Sequence, residues 1–125
     1  MEFSQPKGIY LQIADQIRDR IVEGRLTAGE RIPSIRELAI DLGVNPNTVT
    51  KSYQTLMEHR IINNQRGLGY FVDSDAKQRI LGDRRKQFVR EELPRLFRTM
   101  RQLDIGIDEL VEYYRQATGD DSDER

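Results

Sequence analysis

Residues 29–72 read GERIPSIRELAIDLGVNPNTVTKSYQTLMEHRIINNQRGLGYFV, and the punctuation of this stretch decides the fold. Ser34-Ile35-Arg36-Glu37 is a capping box, in which the serine hydroxyl and the glutamate carboxylate each satisfy a backbone N–H that a helix start leaves over. Ile35, Leu38, Ala39 and Leu42 form the apolar side of the helix that follows, and Gly43 ends it, because glycine turns left-handed without steric cost. Asn45-Pro46 starts another helix: Asn45 is a good N-cap, and Pro46 stands at the first helical position, where its missing N–H costs nothing. Val49, Tyr53 and Leu56 follow at i, i+4, i+7 and should face the core, which leaves Asn47, Thr50, Lys51 and Gln54 on the opposite side. Residues 61–65 and 70–72, joined by Arg66-Gly67-Leu68-Gly69, predict a hairpin. Two helices linked by Gly43-Val44-Asn45 and followed by a hairpin have the layout of a winged helix-turn-helix. Such a fold places one helix in the DNA major groove.

Upstream, Ile9, Ile13, Ile17 and Ile21 are spaced by four, with Ala14 and Val22 beside them, and predict an amphipathic helix over 9–23 ended by Gly24. Ala28-Gly29 makes a second turn before the chain extends through Arg31-Ile32-Pro33. Downstream, Asp73-Ser74-Asp75 marks a boundary and a helix cap. Residues 76–102 are helical in pattern, and Pro94 should kink or restart the helix. Ile105-Gly106-Ile107 reads as a turn, after which Asp108 is expected to cap a last helix through about Ala117. The expected architecture is mainly α with a small β wing. Residues 1–74 would form the winged helix-turn-helix, 75–118 a helical dimerisation tail and 119–125 an acidic, disordered end.

A chain of 125 residues suits one domain or a small domain with an appendage. No apolar run is long enough to span a bilayer, no N-terminal stretch resembles a signal peptide, and the absence of cysteine rules out disulfides and thiolate metal sites. These features fit a cytoplasmic protein. Net charge is −1 and the sequence pI about 5.9, an awkward balance for a nucleic-acid binder. Between Arg25 and Val72, however, six basic residues face four acidic ones. The charge therefore permits DNA binding without arguing for it.

The blocks GIYLQIADQIRDRI, GRLTAGERIPS, RELAIDLGVNPNTVTKSY and RGLGYFV resemble the GntR family of bacterial transcription regulators over residues 8 to about 72. The NPNTV block, with only about fifty residues after the wing, looks like the small YtrA-like branch, whose members carry a short helical dimerisation tail in place of a large effector domain. Two residues depart from the family pattern. Ala28 stands where proline usually precedes Gly29, and Arg60 stands where glycine commonly ends the recognition helix, so another helix stop is needed.

The resemblance implies a DNA contact for Arg36, whose guanidinium can grip guanine bidentately or clamp a phosphate. Asn47, Thr48 and Thr50 occupy the first turns of the third helix, the part that meets base edges in this motif. Ser34 and Lys51 join them as candidates, with Lys51 and Tyr53 in reach of phosphates. The spacing of Tyr53 puts its ring in the core with only the hydroxyl outside. Arg66 and Gly67 form the wing tip, where glycine allows close approach to a groove and arginine suits a narrow minor groove. His59 is the only histidine and has no ligand cluster around it, so neither metal nor cofactor is expected. The run Arg84-Arg85-Lys86 reads as a solvated helix face or as a backbone contact flanking the operator.

A two-helix tail cannot enclose a core alone. Leu81, Phe88, Leu93, Phe97, Met100, Leu110 and Tyr114 are therefore expected to bury against a second subunit. The expected function is sequence-specific binding of double-stranded DNA by a homodimer, as a repressor at an inverted repeat; a small-molecule effector is left open. The rival is a winged-helix protein-docking module, and no carboxylate pair, triad or phosphate loop supports an enzyme.

Overall fold

The structure, a computed structural model, describes residues 8–119. Helix α1 (Ile9–Val22) buries Ile13, Ala14, Ile17 and Ile21 along one stripe, while Ile9 at its start stays exposed. Gly24 at φ 83° turns the chain out of the helix. A second turn is closed by the Glu30 N–H donating to the Thr27 carbonyl at 3.0 Å, with Gly29 at φ 83° in its third position. Proline would suit the second position of such a turn. Ala28 fills it here, and the turn is reinforced by the Glu30 carboxylate, which accepts from the Thr27 N–H and hydroxyl.

The extended segment that follows is a short strand, β1 (Arg31–Ile32). Helix α2 (Ile35–Leu42) then opens on the expected capping box and closes on Gly43 at φ 67°. Helix α3 (Pro46–Glu58) is capped by Asn45, whose side chain accepts from the Asn47 N–H. Val49, Tyr53 and Leu56 are buried on its inner side.

The hairpin strands are β2 (Ile62–Gln65) and β3 (Gly69–Val72). They form with β1 an antiparallel sheet of order β1-β3-β2, in which Arg31 pairs with Phe71, Ile32 with Tyr70 and Asn63 with Phe71. Alternation turns Ile32 into the core and leaves Arg31 outside. The helix stop that Arg60 leaves open is taken by Arg60 itself. It adopts φ 60°, a conformation that costs an L-residue roughly 1–2 kcal/mol. Its carbonyl accepts from Arg79 Nη1 at 2.7 Å.

Helix α4 (Ala76–Gln87) contributes Ala76 and Ile80 to the same core as α1, α3 and the sheet. The first compact unit consequently runs on to Arg84, past the expected boundary at residue 74, and a second begins at Arg85. Asp73, at the end of the wing, accepts from Arg79 Nη1 at 2.9 Å, from the Asp75 N–H and from Asn63. Burial pushes the Asp73 carboxyl up, but these hydrogen bonds outweigh it and hold the group below its ordinary range. A depressed carboxylate stabilises the fold above its unfolded value, near 4, and that contribution is lost as pH falls through the folded value. Asp73→Asn should therefore lower stability by about 1 kcal/mol at neutral pH, a deficit that shrinks in acid. Urea unfolding at pH 7 and pH 3 checks this; an equal deficit at both would contradict it.

In the second unit a five-residue π-helical turn, Phe88–Glu92, precedes helix α5 (Leu93–Gln102). Pro94 lies in the first turn of α5. It has no N–H for the carbonyl four residues back, and its ring would clash there, so the widened turn just before it has an identifiable cause. Helix α6 (Ile107–Thr118) begins two residues earlier than expected: Gly106, not Asp108, is its N-cap, and no side chain caps it. Asp108 sits with Glu109 in the first turn, where negative charge favours the helix dipole. Gly119 at φ 71° closes α6, and the rest of the acidic end, 120–125, lies outside the described residues.

Candidate nucleic-acid interface

The outer face of α3 is built by what the inner face holds in place. Tyr53 is fully buried, its ring edge-on to Tyr70 with centroids 4.9 Å apart. Its hydroxyl donates to the Pro33 carbonyl at 2.6 Å. This corrects the expectation of a hydroxyl outside the core in reach of phosphate: burial, with the charges of Tyr70 and Glu37 adding to it, pushes the phenol's ionisation up, so the proton stays on the Tyr53 oxygen and the hydroxyl stays committed to the Pro33 carbonyl. Ser52, also buried, has its hydroxyl 2.7 Å from the Tyr10 carbonyl and 3.1 Å from that of Thr48, which ties α3 to α1. Sequence reading passes over Ser52, although its spacing from Val49 and Leu56 puts it on the inner stripe.

With that side anchored, Asn47, Lys51 and Gln54 are exposed, and Thr48 and Thr50 half-buried. The Thr50 hydroxyl donates back to the Pro46 carbonyl at 3.1 Å, which leaves its oxygen lone pairs and methyl to meet a ligand. Lys51 Nζ lies 5.0 Å from the centre of the Tyr10 ring, a cation–π contact that steadies the ammonium.

On α2 the Ser34 hydroxyl accepts from the Glu37 N–H at 3.1 Å, and the Glu37 carboxylate accepts from the Ser34 N–H at 2.9 Å. The Ser34 N–H, then the Ser34 hydroxyl and the Arg31 charge, hold the Glu37 carboxyl below the ordinary carboxylate range against the small opposing effect of burial. Arg36 lies between the two caps in sequence, and its exposed side chain takes no part in them.

The wing tip is a turn closed by the Leu68 N–H on the Gln65 carbonyl at 2.9 Å, with Gly67 at φ 78°. Arg66, Gly67 and Leu68 are all exposed there. His59 Nδ1 lies 3.0 Å from Arg18 Nη2, and Arg18 also pairs with Asp15. Of the basic run, Arg84 pairs with Asp19 at 2.8 Å, and Arg85 and Lys86 are exposed.

Residues 9–72 match the model of the gntR family of bacterial regulatory proteins, which spans the two helices and the wing just described. The chain belongs to the GntR family. This GntR regulator is 37% identical to the HTH-type transcriptional regulator YhcF of Bacillus subtilis over 94% of its own length and 95% of the relative's. It is 30% identical to the HTH-type transcriptional repressor YtrA of the same organism, over 90% of this chain and 85% of that one. A solved GntR-family transcriptional regulator from Bacteroides thetaiotaomicron matches with a TM-score of 0.78 at 42% identity, covering 92% of this chain and all of the other. The GntR regulator is thus a DNA-binding transcription regulator of winged-helix fold, and its relatives are regulators, not enzymes.

The tail of the regulator offers a different kind of surface. Leu81 on α4, Phe88, Phe97 and Tyr114 are exposed, the last at 64%, whereas Leu93 and Leu110 are half-buried. Met100 is buried within its own chain. Val89, Leu96, Leu103, Ile107 and Tyr113 are further exposed apolar side chains that the sequence-derived set omits. Among the described residues no helix is long and apolar enough to cross a membrane.

Proposed function

We propose that this regulator is a homodimeric repressor that reads an inverted-repeat operator. Each α3 would enter the major groove of one half-site, Arg36 would reinforce it from α2, and the wing would lie along the neighbouring minor groove. The observation that carries the reading is the division of α3: Val49, Ser52, Tyr53 and Leu56 are locked inward while Asn47, Lys51 and Gln54 are exposed at the surface. Ser34, Thr48, Thr50, Arg66 and Gly67 complete the candidate contact set. The repressor role is supported by likeness to YtrA, which is named as one. Dimerisation is supported by the exposed apolar side chains from Phe88 to Tyr114, too many for an isolated tail of this size to leave in water. Two-fold symmetry then sets half-sites about one helical turn apart.

Sedimentation velocity tests the assembly. The protein is expected to run as a dimer at micromolar concentration, and Phe97→Asp should shift it towards monomer and weaken operator binding at least tenfold, because a buried charge without a partner is strongly unfavourable at an interface. A monomeric unmodified protein, or a Phe97→Asp variant that stays dimeric, would count against it.

A further inference from the structure

Arg31 is absent from the set of DNA contacts read from sequence, yet its side chain reaches the wing tip. On β1 it pairs with Phe71, so its side chain shares a sheet face with Phe71 and, two residues along β3, with Gly69. Its Nε donates to the Leu68 carbonyl at 3.1 Å. A β-carbon on Gly69 would lie 2.9 Å from that same Nε, and Gly69 has φ 121°. The glycine thus leaves the space in which the guanidinium crosses the wing, and the guanidinium ties down a backbone that two positive-φ glycines would otherwise leave loose. The bond spans thirty-seven residues of sequence and joins the strand leading into α2 to the hairpin tip.

We propose that Arg31 is the positioning residue of the wing: through the Leu68 carbonyl it sets the tip so that Arg66 and Gly67 meet the minor groove in register with α3. This rests on the reading that the wing contacts DNA. Arg31 also flanks the groove between β1 and α2 with Glu37, so one side chain connects the wing to the start of the helix that carries Arg36. The competing role for Arg31 is a plain phosphate contact, and side-chain length separates the two. Gln places an amide nitrogen at the position of Arg Nε but carries no charge. Lys keeps the charge with its nitrogen one bond further out. Met keeps the bulk and loses both.

The test uses full-length Arg31→Gln, Arg31→Lys and Arg31→Met on the operator selected by the unmodified protein. It reads affinity across a salt series and hydroxyl-radical protection of minor-groove sugars under the wing, with thermal melts to confirm folding. The proposal expects Arg31→Gln to keep the wing footprint and the salt slope. Arg31→Met and Arg31→Lys should lose the footprint and about tenfold in affinity, the size of one charged hydrogen bond. Retention by Arg31→Lys, with a salt slope reduced by about one per head in Arg31→Gln, would overturn the brace in favour of a phosphate contact. A wing footprint that persists in folded Arg31→Met would overturn it too, while leaving the wing's contact with DNA intact. Absence of a wing footprint with the unmodified protein would instead remove the reading beneath it, and the brace with it.

Discussion

Arg36→Ala is expected to cost about 30-fold in operator affinity per half-site, near a thousandfold for a dimer that loses the contact on both sides, with no change in melting temperature. The magnitude follows from a guanidinium fork on a guanine edge, worth about 1–3 kcal/mol. The unchanged stability follows from the structure. Ser34 and Glu37 cap α2 through their own side chains and backbone, and the exposed Arg36 side chain stands outside those bonds. A surface substitution of that kind stays within about 0.5 kcal/mol. Arg36→Lys distinguishes the two ways an arginine can act. If Arg36 reads a base, lysine keeps the charge but loses the fork, and selectivity relaxes at one position of each half-site. If it clamps a phosphate, lysine retains most of the affinity, and only the alanine variant reduces the salt slope, by about one per head. Undiminished affinity in Arg36→Ala would remove this residue from the interface.

Tyr53→Ala is expected to unfold much of the head. Truncating a fully buried aromatic costs about 3–5 kcal/mol, against a total stability of roughly 5–15 kcal/mol for a domain. Tyr53 also holds two further things together: the edge-on contact to Tyr70 of β3 and the hydrogen bond to the Pro33 carbonyl just ahead of α2. Its removal loosens α2, α3 and the wing at once. Tyr53→Phe isolates the hydroxyl. It keeps the ring but strands a carbonyl, and should cost about 1–2 kcal/mol. Denaturant melts give both values, and DNA binding by Tyr53→Phe should weaken only as far as the folded fraction falls. A loss below about 1 kcal/mol for Tyr53→Ala would show that the core does not depend on this ring in the way its burial implies.

The parts of the fold that announce themselves in the sequence are those in which one residue type has one local use. The Ser34–Glu37 box, Gly43 and Asn45-Pro46 set the ends of α2 and the start of α3 through short-range hydrogen bonds and backbone preference, and the structure places them as read. What escapes is decided by partners distant in sequence. Strand β1 is two residues long and exists because β3 lies beside it. Tyr53 announces its burial by spacing, but Pro33, whose carbonyl accepts its hydrogen bond, is twenty residues away. Arg60 carries no sign of the left-handed turn it adopts, since glycine would be the expected residue; the chain around it imposes that turn, with Arg79 bonded to its carbonyl. The extension of the first unit to Arg84 depends on Ala76 and Ile80 finding the α1–α3 core, beyond a boundary that Asp73-Ser74-Asp75 suggests locally. Of the candidate interface, the exposure of Arg36, Asn47, Lys51, Arg66 and Gly67 follows from helix and hairpin periodicity. Arg31 does not, because its reach to Leu68 is a property of strand pairing.

Selection of bound duplexes from a random DNA library at two salt concentrations tests whether two heads read one symmetric sequence. A two-fold symmetric reader yields an enriched inverted repeat, with half-site centres about one helical turn apart, that survives the higher salt. Weak, unenriched binding that disappears with salt would contradict it, leaving only attraction between the local positive charge and phosphate.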